Sequence, residues 1–142
     1  LTDASEIRDA LIAFLEKKTI QNLNQIAVTK WLKAEPHRTK YPSFPFGWVE
    51  ALLGDAESPF TTSQQIRDIF VIVVCDKNYD AEKAEDSVLS LAEAIHDALR
   101  EDETIGGTVE HAEVSRREKL KLFEKENSLC YVKVTISTRR MD

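Results

Sequence analysis

The stretch Ile69-Phe70-Val71-Ile72-Val73-Val74-Cys75 sets seven apolar side chains in a row. A strand with one wet face alternates, whereas a strand buried on both faces does not. The run therefore predicts a central strand over Ile66–Cys75, closed by the charged loop Asp76–Tyr79. It is also the longest apolar run in the chain. It falls far short of the roughly 20 residues that a membrane-spanning helix requires, so no membrane association is expected.

After this strand, Asp80 can cap a helix, and Glu82, Glu85 and Asp86 crowd the first turns, where the helix dipole favours negative charge. Ala84, Val88, Leu91, Ile95, Ala98 and Leu99 then recur at steps of three and four, one apolar stripe of an amphipathic helix. Gly106-Gly107 stops its continuation. Thr108–Arg116 reads as a strand whose irregular phase suggests a bulge. Cys130, Val132, Val134 and Ile136 alternate with Tyr131, Lys133, Thr135 and Ser137, a strand with one apolar side. Between these two strands lies a charged hairpin arm at about residues 115–130.

Before the central strand, Asp3 and Glu6 have the spacing of a capping box. Ile7, Ala10, Leu11, Phe14 and Leu15 share one helical face behind them, and Lys17 and Lys18 close the helix. Ile26–Leu32 reads as a strand, with a short helix as the alternative. Phe44–Leu53 reads as a strand with Phe44, Phe46, Trp48 and Leu52 on one side, and Pro45 and Gly47 near its start suggest an edge or bulge. Gly54–Gln64 is polar and reads as a loop. The whole is one α+β domain over residues 1–142: an antiparallel or mixed sheet of four or five strands with two main helices on one face.

With 42% hydrophobic and 31% charged residues in 142, the chain has the composition of a folded protein. Nineteen basic against 25 acidic residues leave a net charge of −6, the wrong sign for a dedicated nucleic-acid binder. The same sign suits a surface past which DNA must slide without sticking. Leu1–Ser5 shows no basic region leading into an apolar stretch, so no signal peptide is expected. Cys75 and Cys130 both lie in apolar strands without zinc spacing. They read as buried thiols, with a disulfide between adjacent strands as the alternative, in a protein made in a reducing cytoplasm.

No catalytic constellation, metal site or cofactor motif emerges. His37, His96 and His111 have no ligand spacing, and no nucleophile elbow or phosphate loop is present. The abundant carboxylates read as helix caps and solvated faces. More informative are apolar side chains in polar company: Phe44, Phe46 and Trp48 beside an awkward proline and glycine, Phe60 in a polar loop, and Leu120, Leu122 and Phe123 in the charged arm. Such residues mark subunit or partner contacts, unless each folds back on its own core.

The element order, with Tyr41-Pro42-Ser43-Phe44-Pro45-Phe46, Arg67-Asp68-Ile69-Phe70-Val71-Ile72-Val73, Ala94-Ile95-His96-Asp97-Ala98-Leu99 and Gly106-Gly107 at its landmarks, resembles the tail-terminator, tail-completion and neck (head–tail joining) proteins of long-tailed bacteriophages. The likeness spans about residues 3–138 and rests on order and texture, not on a diagnostic motif. It implies a virion protein that forms a closed ring, commonly a hexamer, between the head-side connector and the tail tube. It implies a lumen through which DNA passes without specific binding, with Glu50, Asp55 and Glu57 as candidate lining acids. It carries no shared catalytic residue. Two other readings stand beside it: a small adaptor or regulatory domain that binds a protein or metabolite, and an enzyme built on dispersed carboxylates and a histidine such as His111.

Overall fold

In a computed structural model of the chain, residues 3–21, 28–54, 56–57, 65–124 and 127–141 are described. The elements in order are helix α1 (Ala4–Gln21), strand β1 (Trp31–Leu32), a single 3₁₀ turn (Arg38–Lys40), β2 (Phe46–Ala51), β3 (Ala56–Glu57), β4 (Gln65–Asn78), helix α2 (Ala81–Glu101), β5 (His111–Glu124) and β6 (Asn127–Met141). The sheet runs β1-β2-β4-β6-β5, and short β3 adds to β4. β1 lies parallel to β2 and every other pairing is antiparallel, so the sheet is mixed and the fold is α+β with two helices, as expected.

Both helix starts follow from their caps. Asp3 accepts the Glu6 N–H at 2.9 Å, and Asp80 accepts the N–H groups of Glu82 and Lys83 at 3.0 and 3.4 Å. The apolar stripes of the two helices then share one core with alternate residues of the sheet. Ile7, Leu11 and Leu15 of α1 and Ala84, Val88, Leu91, Ile95, Ala98 and Leu99 of α2 meet Val49, Phe70, Ile72, Val74, Cys130, Val132, Val134 and Ile136. Each large apolar side chain so buried contributes about 1.5–3 kcal/mol to the folded state. Past α2, the left-handed Gly106 (φ 66°) and Gly107 (φ 83°) turn the chain back toward β5. Asp102 staples this turn by accepting from the Gly106 N–H at 2.8 Å and the Thr104 hydroxyl at 3.0 Å.

Trp31 ties α1 to β2. Its indole N–H donates to Thr19 Oγ1 at 3.2 Å, and its ring lies over Gly47. A Cβ at position 47 would run into that ring and come within 2.8 Å of the Val73 carbonyl oxygen, so only glycine fits. Gly47→Ala should therefore cost about 1–3 kcal/mol in chemical denaturation, the usual range for overpacking.

The strands outrun their sequence patterns. β4 continues through Asp76, Lys77 and Asn78, where a loop is expected, because β6 supplies partners at Cys130, Leu129 and Ser128. β5 begins at His111, later than expected, and runs to Glu124 with the anticipated bulge at Val114/Arg116. The charged stretch expected as an arm is thus a laddered part of the sheet. Its charge is matched from above: Arg117 pairs with Glu93, and Lys119 pairs with Glu85, to which Lys121 also lies at 3.9 Å. Glu85 and Glu93 are two helical turns apart on one side of α2, so acids on the helix meet bases at alternate positions of the strand. The hydrogen bond and charge of Lys119 hold the Glu85 carboxyl below its ordinary range.

The strand register also settles the cysteines. Cys75 stands opposite Tyr131, and Cys130 stands opposite Asp76. Cys130 faces the helices and Cys75 faces the other side of the sheet, so the alternative of a disulfide between them is excluded. Burial pushes the Cys130 thiol up, which leaves it protonated and unreactive.

Candidate interaction surface

The sheet face turned away from the helices carries its own, smaller apolar cluster: Phe46 and Trp48 of β2, Val71, Val73 and Cys75 of β4, and Leu129 and Tyr131 of β6. The segment between β1 and β2 folds over one end of this face. There Tyr41 lies 5.0 Å from Phe46 between ring centroids and Phe44 lies 5.4 Å from it, while Trp48 stacks on Phe46 at 5.8 Å. The Tyr41 and Tyr131 hydroxyls share a hydrogen bond of 3.0 Å across the sheet.

Beyond that cover the face stays open as a groove of about 610 Å³. Its floor is Trp48, Val71, Val73 and Tyr131, and its rims are Leu52 on the β2 side and Leu120 on β5. Leu52 is 56% exposed and Leu120 39%, against the buried floor. Glu35 also lines it, and Glu50 stands on β2 and accepts the Trp48 indole N–H at 3.0 Å. Lys133 stands at the β6 side. The volume falls within the range of small-molecule sites, and the groove is open to solvent.

The contact residues expected from the sequence therefore divide. Phe46 is fully buried and Trp48 is 3% exposed, so the chain's own second cluster claims Phe46 and all but one edge of Trp48. Phe44 is half-buried against the same cluster. Leu120 is exposed on the groove rim. Leu122 and Phe123 hold positions in β5 opposite Leu129 and Ser128, with their side chains outside the described set. Phe60 and Asp55 lie outside the described residues, and Glu57 is described only as a β3 backbone position paired with Gln65. Sequence reading missed Leu53, 61% exposed with a left-handed backbone (φ 58°), and Tyr79, 79% exposed between β4 and α2. It also missed the buried ion pair between Asp68 and Arg140, at 2.8 Å.

The histidines have local duties. His37 accepts the Thr39 N–H at 3.4 Å and caps the 3₁₀ turn. His96 lies 3.7 Å from Asp97, and His111 lies 3.5 Å from Glu103 and 3.6 Å from Glu113, all ion-pair spacings at the surface. Glu93, His96 and Asp97 come within 4.8 Å of one another on α2, but Glu93 is engaged by Arg117. Among the described residues no helix is long and apolar enough to cross a membrane.

No family model matches the sequence. No curated protein matches it either. Among solved structures, the fold is similar to a chain from the virion of a native gene transfer agent particle, with a TM-score of 0.57 at 14% identity, over 95% of this chain and 94% of that one. At that identity the likeness is one of fold, and it extends almost end to end in both chains.

Proposed function

We propose that this chain is a structural component of a phage or phage-like particle, without enzymatic activity, that assembles as a ring between the head-side connector and the tail tube. The observation that carries this reading is the near-complete fold match to a virion chain, which agrees with the resemblance already drawn from element order. A hexamer is the ring size that the resemblance implies. Ring closure uses heterologous contacts, one patch of each subunit against a different patch of the next. Such contacts draw on the exposed apolar groups away from the groove, Leu53, Tyr79 and Leu89, while side chains supply adhesion instead of reactivity. Asp55 and Glu57, just after β2, are the acids proposed to line the lumen. Glu50, which faces the groove and holds the Trp48 indole, belongs to a contact surface instead. Negative-stain imaging of the purified chain at high concentration tests the reading. Rings with a central hole are the expected result, and a field of separate subunits with no closed ring overturns it.

The groove favours a second reading, an adaptor domain for a small ligand or peptide, since its volume of about 610 Å³ matches ligand sites. A metabolite panel that raises the melting temperature would support this second reading over the first.

A further inference from the structure

We infer that the helix-free face of the sheet binds a second copy of the same chain, face to face, about a two-fold axis lying between the two sheets and roughly along their strands. Charge is laid out unevenly across the strands of this face. Glu50 lies on β2 at one side of the groove, which Glu35 also lines, and Lys133 lies beyond β4 on β6. Further out, on β5, Glu118 stands opposite Lys133 in register and lies 3.9 Å from Arg116, so the basic end keeps its excess of positive charge. The face is therefore polar across its width, acidic at one side and basic at the other, with an apolar floor between.

A two-fold axis along the strands exchanges those two sides. It sets the acidic side of one copy over the basic side of the other, twice in each pair. It also brings the two apolar floors together, with the exposed Leu52 and Leu120 at the margins. An axis across the strands would instead set acid over acid. Two sheets packed in this aligned way lie about 10 Å apart with their strands within about 30° of each other, a geometry that twisted sheets adopt readily. The helices of both copies remain on the outside. The contact is isologous, so it is distinct from the heterologous contacts that close a ring, and it does not depend on the ring reading.

Charge exchange between copies tests it, with the mass of the full chain measured by analytical ultracentrifugation over a dilution series. The wild-type chain should dimerise. Glu50→Lys alone and Lys133→Glu alone should each weaken the dimer by tenfold or more, because each sets like charges together at both ends. The doubly exchanged chain, E50K with K133E, should recover it. An equimolar mixture of the two single variants should also recover it, as a heterodimer, and this arm controls for the Trp48 hydrogen bond lost with Glu50. A wild-type chain that stays monomeric at high concentration overturns the inference and leaves the groove to a partner of other chemistry. Single variants that dimerise like the wild type, or exchanged chains that fail to recover, overturn it as well. Images of single rings formed equally by wild type and both single variants would uphold the ring reading while refuting the pairing.

Discussion

Phe46→Ala should destabilise the folded chain by about 3–5 kcal/mol, the range for emptying a buried aromatic site. The ring has no exposed surface, and its neighbours Tyr41, Phe44 and Trp48 all lie with centroids within 5.8 Å of it. Two of those neighbours, Tyr41 and Phe44, belong to the segment before β2, so the loss also loosens its hold on the sheet. The cavity left by the alanine cannot be filled by Trp48 without breaking its 3.0 Å bond to Glu50. Urea denaturation of monomeric protein at low concentration measures the effect. A loss below about 1 kcal/mol would mean that Phe46 serves a partner instead of this core. Leu120→Ala makes the contrast: 39% exposed, it should cost little stability while changing association.

The second large effect is expected at Asp68. Its carboxylate is 3% exposed and meets Arg140 Nε at 2.8 Å, with the guanidinium side chain 15% exposed. Asp68→Ala leaves a largely buried cation without its partner, which costs about 3–5 kcal/mol in comparable sites. Arg140 has further interactions, which should place the loss near the lower end. Asp68→Asn keeps an acceptor but not the charge, and should cost less than alanine. Replacing both members by apolar residues, Asp68→Leu with Arg140→Met, should recover much of the loss, since the desolvation of both charges is then avoided. A double-mutant cycle in urea checks this. Additive single losses, with no recovery in the pair, would show that the two side chains are not energetically coupled.

Much of the architecture was legible in the residues. The unbroken run Ile69–Cys75 is central in the sheet, with β2 and β6 on its two sides. The stripe of α2, the caps Asp3 and Asp80 and the stop at Gly106-Gly107 all stand where their patterns put them. Each of these signals is local: a capping bond spans three residues, and an amphipathic stripe repeats every turn.

The interaction surface was legible only in part. Leu120 and Phe46 look alike in sequence, apolar residues in polar company, yet one is a rim and the other a core. What separates them is the segment carrying Tyr41 and Phe44, folded across the sheet onto Tyr131 of a strand 90 residues away. The extra length of β4 and β5 has the same origin. A charged stretch has no strand period of its own, and it becomes a strand when a neighbouring backbone and an oppositely charged helix satisfy it.

The sequence by itself determined the class, the central strand and the two helices, because these follow from interactions between residues near one another in the chain. The tertiary structure alone decided which aromatics are core, that Cys75 and Cys130 face apart, that Asp68 meets Arg140, and that acid and base lie on opposite sides of one groove. Those are pairings across dozens of residues, set by strand register, and a one-residue shift in register would change every one of them.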